Sequence, residues 1–241
     1  MSECRVGIIA EGTTDVSVIK GIVKTIFPDK VFVFNAISPT PEEIETQQKD
    51  EGFGWGGVYR VCRRLKDKLE LAEAISGAFD CVIIHIDADV AYKNYSDIGE
   101  SNPSKDDLPC VKVNDTVESL CSSLESVLLN WLDNDYSKIV TCIPYICTET
   151  WVGCWMYRQQ WSDIEECTDE QTIYELLYRL GMPKKEKENR LIEKKTNGFK
   201  KRTKGYKNAA TRLSPELWNL VTNRYKQADL FDKKLSILIS N

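Results

Sequence analysis

Four short apolar runs punctuate the first 150 residues, and longer amphipathic stretches separate them. Arg5 to Ala10, Val31 to Ile37, Asp80 to Ile86 and Ile139 to Ile146 read as strands. The third is almost purely apolar, as a central strand covered on both faces should be. Between the first two, Val16, Ile19, Val23 and Ile26 recur at spacings of three and four, so one helix face is buried. Thr13 or Thr14 is expected to cap that helix, Asp15 falls in its first turn, and Pro28 closes the unit. A second helix is expected from about Val58 to Ser76, and a third over Val117 to Trp131. This alternation predicts an α/β fold with a mostly parallel four-stranded sheet flanked by helices.

After Glu149 the pattern turns helical. Thr168 to Gln171 (TDEQ) has the capping-box spacing ahead of Ile173, Leu176, Leu177 and Leu180, with Gly181 as the stop. Ser214-Pro215-Glu216 begins another helix, to about Gln227, and a last one covers Leu230 to Ile239. The expected division is an α/β domain over 1–150 and a helical C-terminal extension over 151–241, packed onto the sheet. Pro39 to Glu51 and Tyr92 to Pro109 read as polar loops.

Charge sharpens this picture. Pro183 to Arg212 holds twelve Lys or Arg against three Glu, a local +9 in a chain of net −5, which leaves −14 elsewhere. Hydrophobic residues make up 42% and charged residues 29%, ordinary for a globular protein. No stretch approaches the roughly 18 apolar residues of a membrane span, and the N-terminus reads as a strand rather than a signal peptide. Nine scattered cysteines, an odd number, read as reduced and mostly buried. Cys142, Cys147 and Cys154 lack metal-binding spacing, and His85 is the only histidine, which argues against structural zinc. A cytoplasmic protein with no membrane partner is expected.

Ligands of open parallel sheets collect at the carboxyl ends of the strands. Glu11 follows the first strand, and Asp87 and Asp89 follow the third, so all three should emerge on one rim. Alternation along an extended chain would point Asp87 and Asp89 to the same side. Clustered carboxylates repel one another unless a cation joins them, and hard oxygen ligands favour Mg²⁺, Mn²⁺ or Ca²⁺ over zinc. Asp15 is placed to add a further carboxylate. The plainer alternative is that these acids cap helices and end strands.

The sequences VGIIAEGTTD (residues 6–15) and VIIHIDAD (82–89) resemble the Toprim domain of primases, topoisomerases, recombination mediators and the overcoming-lysogenization-defect (OLD) nucleases. The resemblance covers roughly residues 5–150. It implies that Glu11, Asp87 and Asp89 match the family's Mg²⁺-holding acids. The EGTTD form is most similar to the OLD-type nucleases and small standalone Toprim-like proteins, which gives Asp15 a metal role as well. Val90-Ala91-Tyr92 departs from the Gly-rich continuation of primases and topoisomerases, which argues against priming and strand passage. The resemblance implies Mg²⁺- or Mn²⁺-dependent hydrolysis of DNA or RNA, in a phage-defence or DNA-repair setting. Glu11 would ligate metal or serve as general base.

Glu149, ahead of Trp151, either joins the metal rim, as acids here do in standalone Toprim-like proteins, or caps a helix beside a core Trp. The basic segment interleaves cations with Phe199 and Tyr206; its two glycines argue against a continuous helix. Lys200, Lys201, Arg202, Lys204 and Lys207 are the candidates for phosphate contacts, against the reading of a solvated charged loop. OLD-type nucleases also use a lysine near the metals, which no motif assigns to a position here. The glycines around Trp55 read as a flexible turn, and His85 as a core or rim residue. Expected partners are nucleic acid and, by the resemblance, an ATPase on a separate chain, since no ATPase motif is present; a homo-oligomer is left open. The competing readings are a non-catalytic nucleic-acid-binding or regulatory module, and a phosphotransfer enzyme with Asp87 as nucleophile.

Overall fold

A computed structural model describes residues 3–40, 53–101, 108–112, 115–132, 137–161, 169–182 and 190–240. Strands β1 (Cys4–Ile9), β2 (Phe32–Ser38), β3 (Cys81–His85) and β4 (Ile139–Cys142) form one sheet in the order β2-β1-β3-β4, parallel throughout. Every strand therefore ends on the same rim. Side chains alternate between the sheet's two faces, and each face has its own apolar core. Val6, Ile8, Cys81, Ile83, Val140 and Cys142 join one cluster; Ile9, Val82, Ile84 and Ile143 join the other.

The second cluster is covered by α2 (Gly54–Asp67) and α4 (Val117–Leu132), with α3 (Leu69–Ala78) following α2. The single helix expected over Val58 to Ser76 is thus two, because Lys68 leaves helical geometry (φ −125°, ψ 89°). The glycine-rich stretch is also not a turn. Gly54, Gly56 and Gly57 lie in the first turn of α2, and Trp55 stacks with Trp131 and packs edge-on to Tyr95 in the core. Burial of an indole there overrides the weak helix propensity of glycine.

The first cluster takes in α1 (Thr13–Ile26), α5 (Thr148–Tyr157) and the whole C-terminal region: α6 (Glu170–Gly181), α7 (Thr203–Thr211), α8 (Pro215–Arg224) and α9 (Lys226–Ser240). Trp151 packs edge-on to Trp218 and stacks on Phe231, so residues beyond 150 share the core of the sheet. The caps are mixed. Ser214 accepts from Leu217 N as expected, and Asp169 accepts from Thr172 N, whereas α1 starts from Gly12 with no side-chain cap from Thr13 or Thr14. Thr168, Pro183 to Asn189, and residues 41–51 and 102–107 of the two expected loops lie outside the described residues.

One element was absent from the sequence reading. Strands β5 (Ile192–Lys195) and β6 (Gly198–Lys201) form an antiparallel hairpin inside the basic segment. Its turn is allowed by Gly198, at φ 121°. Ile192 pairs with Lys201, so the side chain of Lys201 shares the inward face with the buried Ile192 while Lys200 points out. The eight cysteines among the described residues are free, six of them buried. Among the described residues no helix is long and apolar enough to cross a membrane.

Gly153 tests the packing of α5. A Cβ there would meet the Trp161 ring at 2.2 Å, and Trp161 is fully buried with its Nε1 donating to Tyr225 Oη at 3.1 Å. Gly153→Ala should cost about 1–3 kcal/mol by overpacking, or several degrees of Tm for a chain of this size, roughly 2–4 °C per kcal/mol. An unchanged melting curve would contradict the close approach of Trp161 to the helix.

Candidate metal centre

The rim above β1, β3 and β4 is tied together by backbone hydrogen bonds. Ile86, Ala88 and Asp89 donate from N to the carbonyls of Cys142, Pro144 and Ile146 (3.1, 3.0 and 3.2 Å), and Gly54 N donates to Glu11 O at 2.7 Å. These contacts hold the loop after β3 against the β4–α5 connection, and the loop after β1 against the start of α2. Helices α1, α2 and α5 all begin on this rim, and their first-turn N–H groups favour negative charge.

Glu11 and Asp87, 76 positions apart, meet here. Glu11 Oε1 accepts from Asp87 N at 2.7 Å. Asp87 Oδ1 accepts from Thr148 N at 3.0 Å and from Thr148 Oγ1 at 3.3 Å, so Asp87 caps α5 from another element. His85 Nε2 lies 2.7 Å from Thr148 Oγ1 and 3.3 Å from Asp87 Oδ1, with the ring fully buried. Its Nδ1 has no hydrogen-bond partner, so the neutral ring protonated on Nε2 leaves no buried donor unpaired. Glu11, His85 and Asp87 each bring one donor atom within 4.8 Å of the others. His85 Nε2 is already engaged with Thr148 and Asp87, which makes this residue a positioner of Asp87 rather than a first choice of ligand.

A cleft of about 540 Å³ opens over this pair. Six carboxylates line it (Glu11, Asp15, Asp87, Asp89, Asp97 and Glu170) against two lysines, Lys93 and Lys201. Asp89 does not follow the alternation expected for an extended chain, because Ala88–Tyr92 turns into a 3-10 helix. Asp89 therefore pairs with Lys93 at 3.0 Å while still facing the cleft. Asp15 is buried, and its Oδ1 has no hydrogen bond. Glu149 is fully buried on the first turn of α5 and forms an ion pair with Lys201 at 2.9 Å; Lys201 also reaches Asp15 at 3.9 Å.

The five basic candidates separate accordingly. Lys201 alone enters the acidic cleft, with its ammonium 5.7 Å from the centre of the Tyr174 ring. Arg202 pairs with Glu193 at 3.2 Å; Lys200, Lys204 and Lys207 are exposed. Nothing in the sequence pointed to Thr148, Glu170 or Tyr174 at the site, while His85 is the buried rim residue expected. Glu170 was absorbed into the helix-cap pattern; it in fact accepts a hydrogen bond from Tyr174 and faces the cleft. A half-buried acid in a helix's first turn gives no sequence signal that separates it from a cap.

Proton affinities follow from this crowding. Burial pushes the Glu11 carboxyl well above its usual range and the neighbouring Asp87 charge adds to it, against the opposing hydrogen bond from Asp87 N. Asp87 is raised chiefly by burial, with His85 opposing, and Glu170 is raised by burial. Burial works most strongly against a charged His85, but its bond to Asp87 and the charges of Asp87 and Asp15 together outweigh this, and the net shift is upward. Burial likewise opposes charge on Lys201, yet Asp15 and Glu149 hold its ammonium well above the usual lysine value. No family model, curated protein or solved structure matches the chain.

The pH dependence of stability follows in sign. Carboxyls whose folded pKa lies above the unfolded value of 4.5 for Glu or 3.8 for Asp bind more protons folded than unfolded. Stability is then lost as pH rises through that window. In chelator, the Tm should fall from about pH 4.5 toward neutrality, and Glu11→Gln, which keeps an acceptor for Asp87 N, should flatten the fall and raise the Tm at pH 7 by a few degrees. A variant that melts below wild type at pH 7 in chelator would refute the repulsion between Glu11 and Asp87.

Proposed function

We propose that the chain is a divalent-metal-dependent nuclease of Toprim type, hydrolysing phosphodiester bonds in DNA or RNA at the cleft around Glu11 and Asp87. The observation that carries this reading is the meeting of those two acids, from the ends of two parallel strands, in a cleft with six carboxylates and two lysines. So many carboxylates in partial burial are costly without a cation. Asp15 Oδ1, buried without a hydrogen bond and reached only by Lys201 at 3.9 Å, fits the same requirement, and an all-oxygen donor set suits Mg²⁺ or Mn²⁺. The resemblance of residues 6–15 and 82–89 to Toprim motifs points the same way.

In this reading Glu11 and Asp87 hold the metal, with Asp15, Asp89 and Glu149 around it. A bound divalent ion would supply Lewis-acid polarisation of the phosphate and a lower pKa for attacking water. His85 and Thr148 fix the carboxylate plane of Asp87 by their hydrogen bonds. Lys201, anchored by Glu149, presents a fixed positive charge to the reacting phosphate. Glu11 would either ligate the metal or serve as the general base that takes a proton from water. We place nucleic acid as the partner, together with an ATPase on a separate chain, in a cytoplasmic setting that suits free thiols.

Plasmid, single-stranded DNA and RNA incubated with Mg²⁺ or Mn²⁺ test the reading. Wild type should cleave at least one of them, and Glu11→Gln, Asp87→Asn and Lys201→Met should each lose about 100-fold or more. Mn²⁺ should raise the Tm of wild type and not that of Asp87→Asn. Cleavage that survives both acid substitutions would sink the site. Binding without cleavage under either metal would favour a non-catalytic module.

A further inference from the structure

A second cleft, of about 640 Å³, lies where α1 crosses α7, and the hydrolytic reading makes no use of it. At its floor the helices approach closely: a Cβ on Gly21 would lie 2.8 Å from the Ala210 Cβ and 3.0 Å from the Ala210 carbonyl oxygen. Lys20 and Lys24 flank Gly21 on one face of α1, and α7 brings Lys207 one turn before Ala210. The crossing thus gathers three ammonium groups around one cavity. None of the three forms an ion pair with a carboxylate among the described residues, although the chain as a whole carries net −5.

This arrangement works against its own stability. Like charges four residues apart on a helix repel, and tertiary packing adds a third to the pair. Lys20 is half-buried and its pKa is lowered, first by burial and then by Lys24 and Lys207. Lys20 and Lys24 both lie over the Phe34 ring, 5.8 and 5.7 Å from its centre, so an aromatic contact on the edge strand holds their stems in place. A preformed group of cations without counter-charges is matched by an anion with several charges.

The geometry relative to the acidic cleft selects the class of anion. Helix α1 runs from one cleft to the other: Asp15 lines the first, and Lys20 and Lys24 the second. At 1.5 Å per residue these lysines lie about 7 and 14 Å along the axis from Asp15. A nucleic-acid strand carries one phosphate per nucleotide, about 3.4 Å apart along the axis of a duplex, so a strand entering the acidic cleft has further phosphates within reach of these lysines. The C-terminal region repeats the relation, with Lys201 in the acidic cleft and Lys207 in the basic one. We propose that the α1–α7 cleft binds the phosphate backbone of a nucleic-acid strand to one side of the phosphate held in the acidic cleft. The identity of the polyanion rests on the nuclease reading; the anion site itself does not.

Fluorescence anisotropy in chelator, with a labelled 12-nucleotide single strand, separates binding from cleavage. The triple variant Lys20→Ala/Lys24→Ala/Lys207→Ala should bind at least tenfold more weakly. Its plot of log affinity against log salt should be shallower by about 2, at roughly 0.7 per lost phosphate contact. The corresponding triple arginine variant should keep both affinity and slope. Circular dichroism of the alanine variant should match wild type, so that weaker binding reports the lost charges. Unchanged affinity and slope in that variant would overturn the proposal, as would binding of inorganic tripolyphosphate at these lysines without any strand binding. A wild type that binds strands through these lysines but cleaves nothing with Mg²⁺ or Mn²⁺ would defeat the nuclease reading and leave this site standing.

Discussion

Asp87 serves two neighbours at once, one through its carboxylate and one through its backbone N–H, and the organisation of the rim depends on it. Its Oδ1 accepts from the first N–H of α5 at Thr148, while the backbone N–H of Asp87 itself donates to Glu11. A residue after β3 thereby fixes the start of the helix after β4 and the acid after β1. Parallel strands make this possible, because each crossover returns the chain to the same edge and brings residues 76 and 61 positions apart into contact. The hydrogen bonds are also what the acids receive in place of water, and they offset part of the desolvation that raises both carboxyls.

The remaining charge is balanced from the far end of the chain. Lys201 enters the cleft from β6 and meets Glu149 and Asp15, so the C-terminal region completes the site as well as the core. The register of the hairpin decides this. Lys201 lies opposite Ile192, whose burial pins the inward face, and a shift of one residue would present Lys200 instead. Close approach between α7 and its surroundings depends on small residues: a Cβ on Gly205 would fall 2.1 Å from the Arg190 carbonyl, as one on Gly21 would collide with Ala210. Helix α1 therefore borders an acidic cleft at one end and a basic one at the other, in a chain whose net charge hides the division.

Much of the fold was legible in the sequence. The four strand positions, the order of strands and helices, and the parallel sheet follow from apolar periodicity, because burying one face of a helix or both faces of a strand is a local requirement repeated at a fixed spacing. The start of α8 was legible for the same local reason, a side chain bonding a backbone N–H within the next turn, whereas α6 is capped by Asp169 and not by the expected Thr168 pattern. Glu11 and Asp87 could be placed on one rim because strand ends in a parallel sheet share an edge.

What the sequence could not decide was where a local preference meets a packing demand. A glycine run reads as a turn until Trp55 needs a core to enter, and a basic stretch reads as a solvated loop until Ile192 seeks burial and folds it into a hairpin. Asp87 and Asp89 look equivalent along the chain, yet the 3-10 turn after Asp87 gives one to Thr148 and the other to Lys93. The sequence by itself determined the layered sheet and the supply of acids and lysines. Only the tertiary structure decided which acid meets which partner, because those contacts join groups dozens to more than a hundred residues apart, whose free energy exists only once the sheet and its helices have closed.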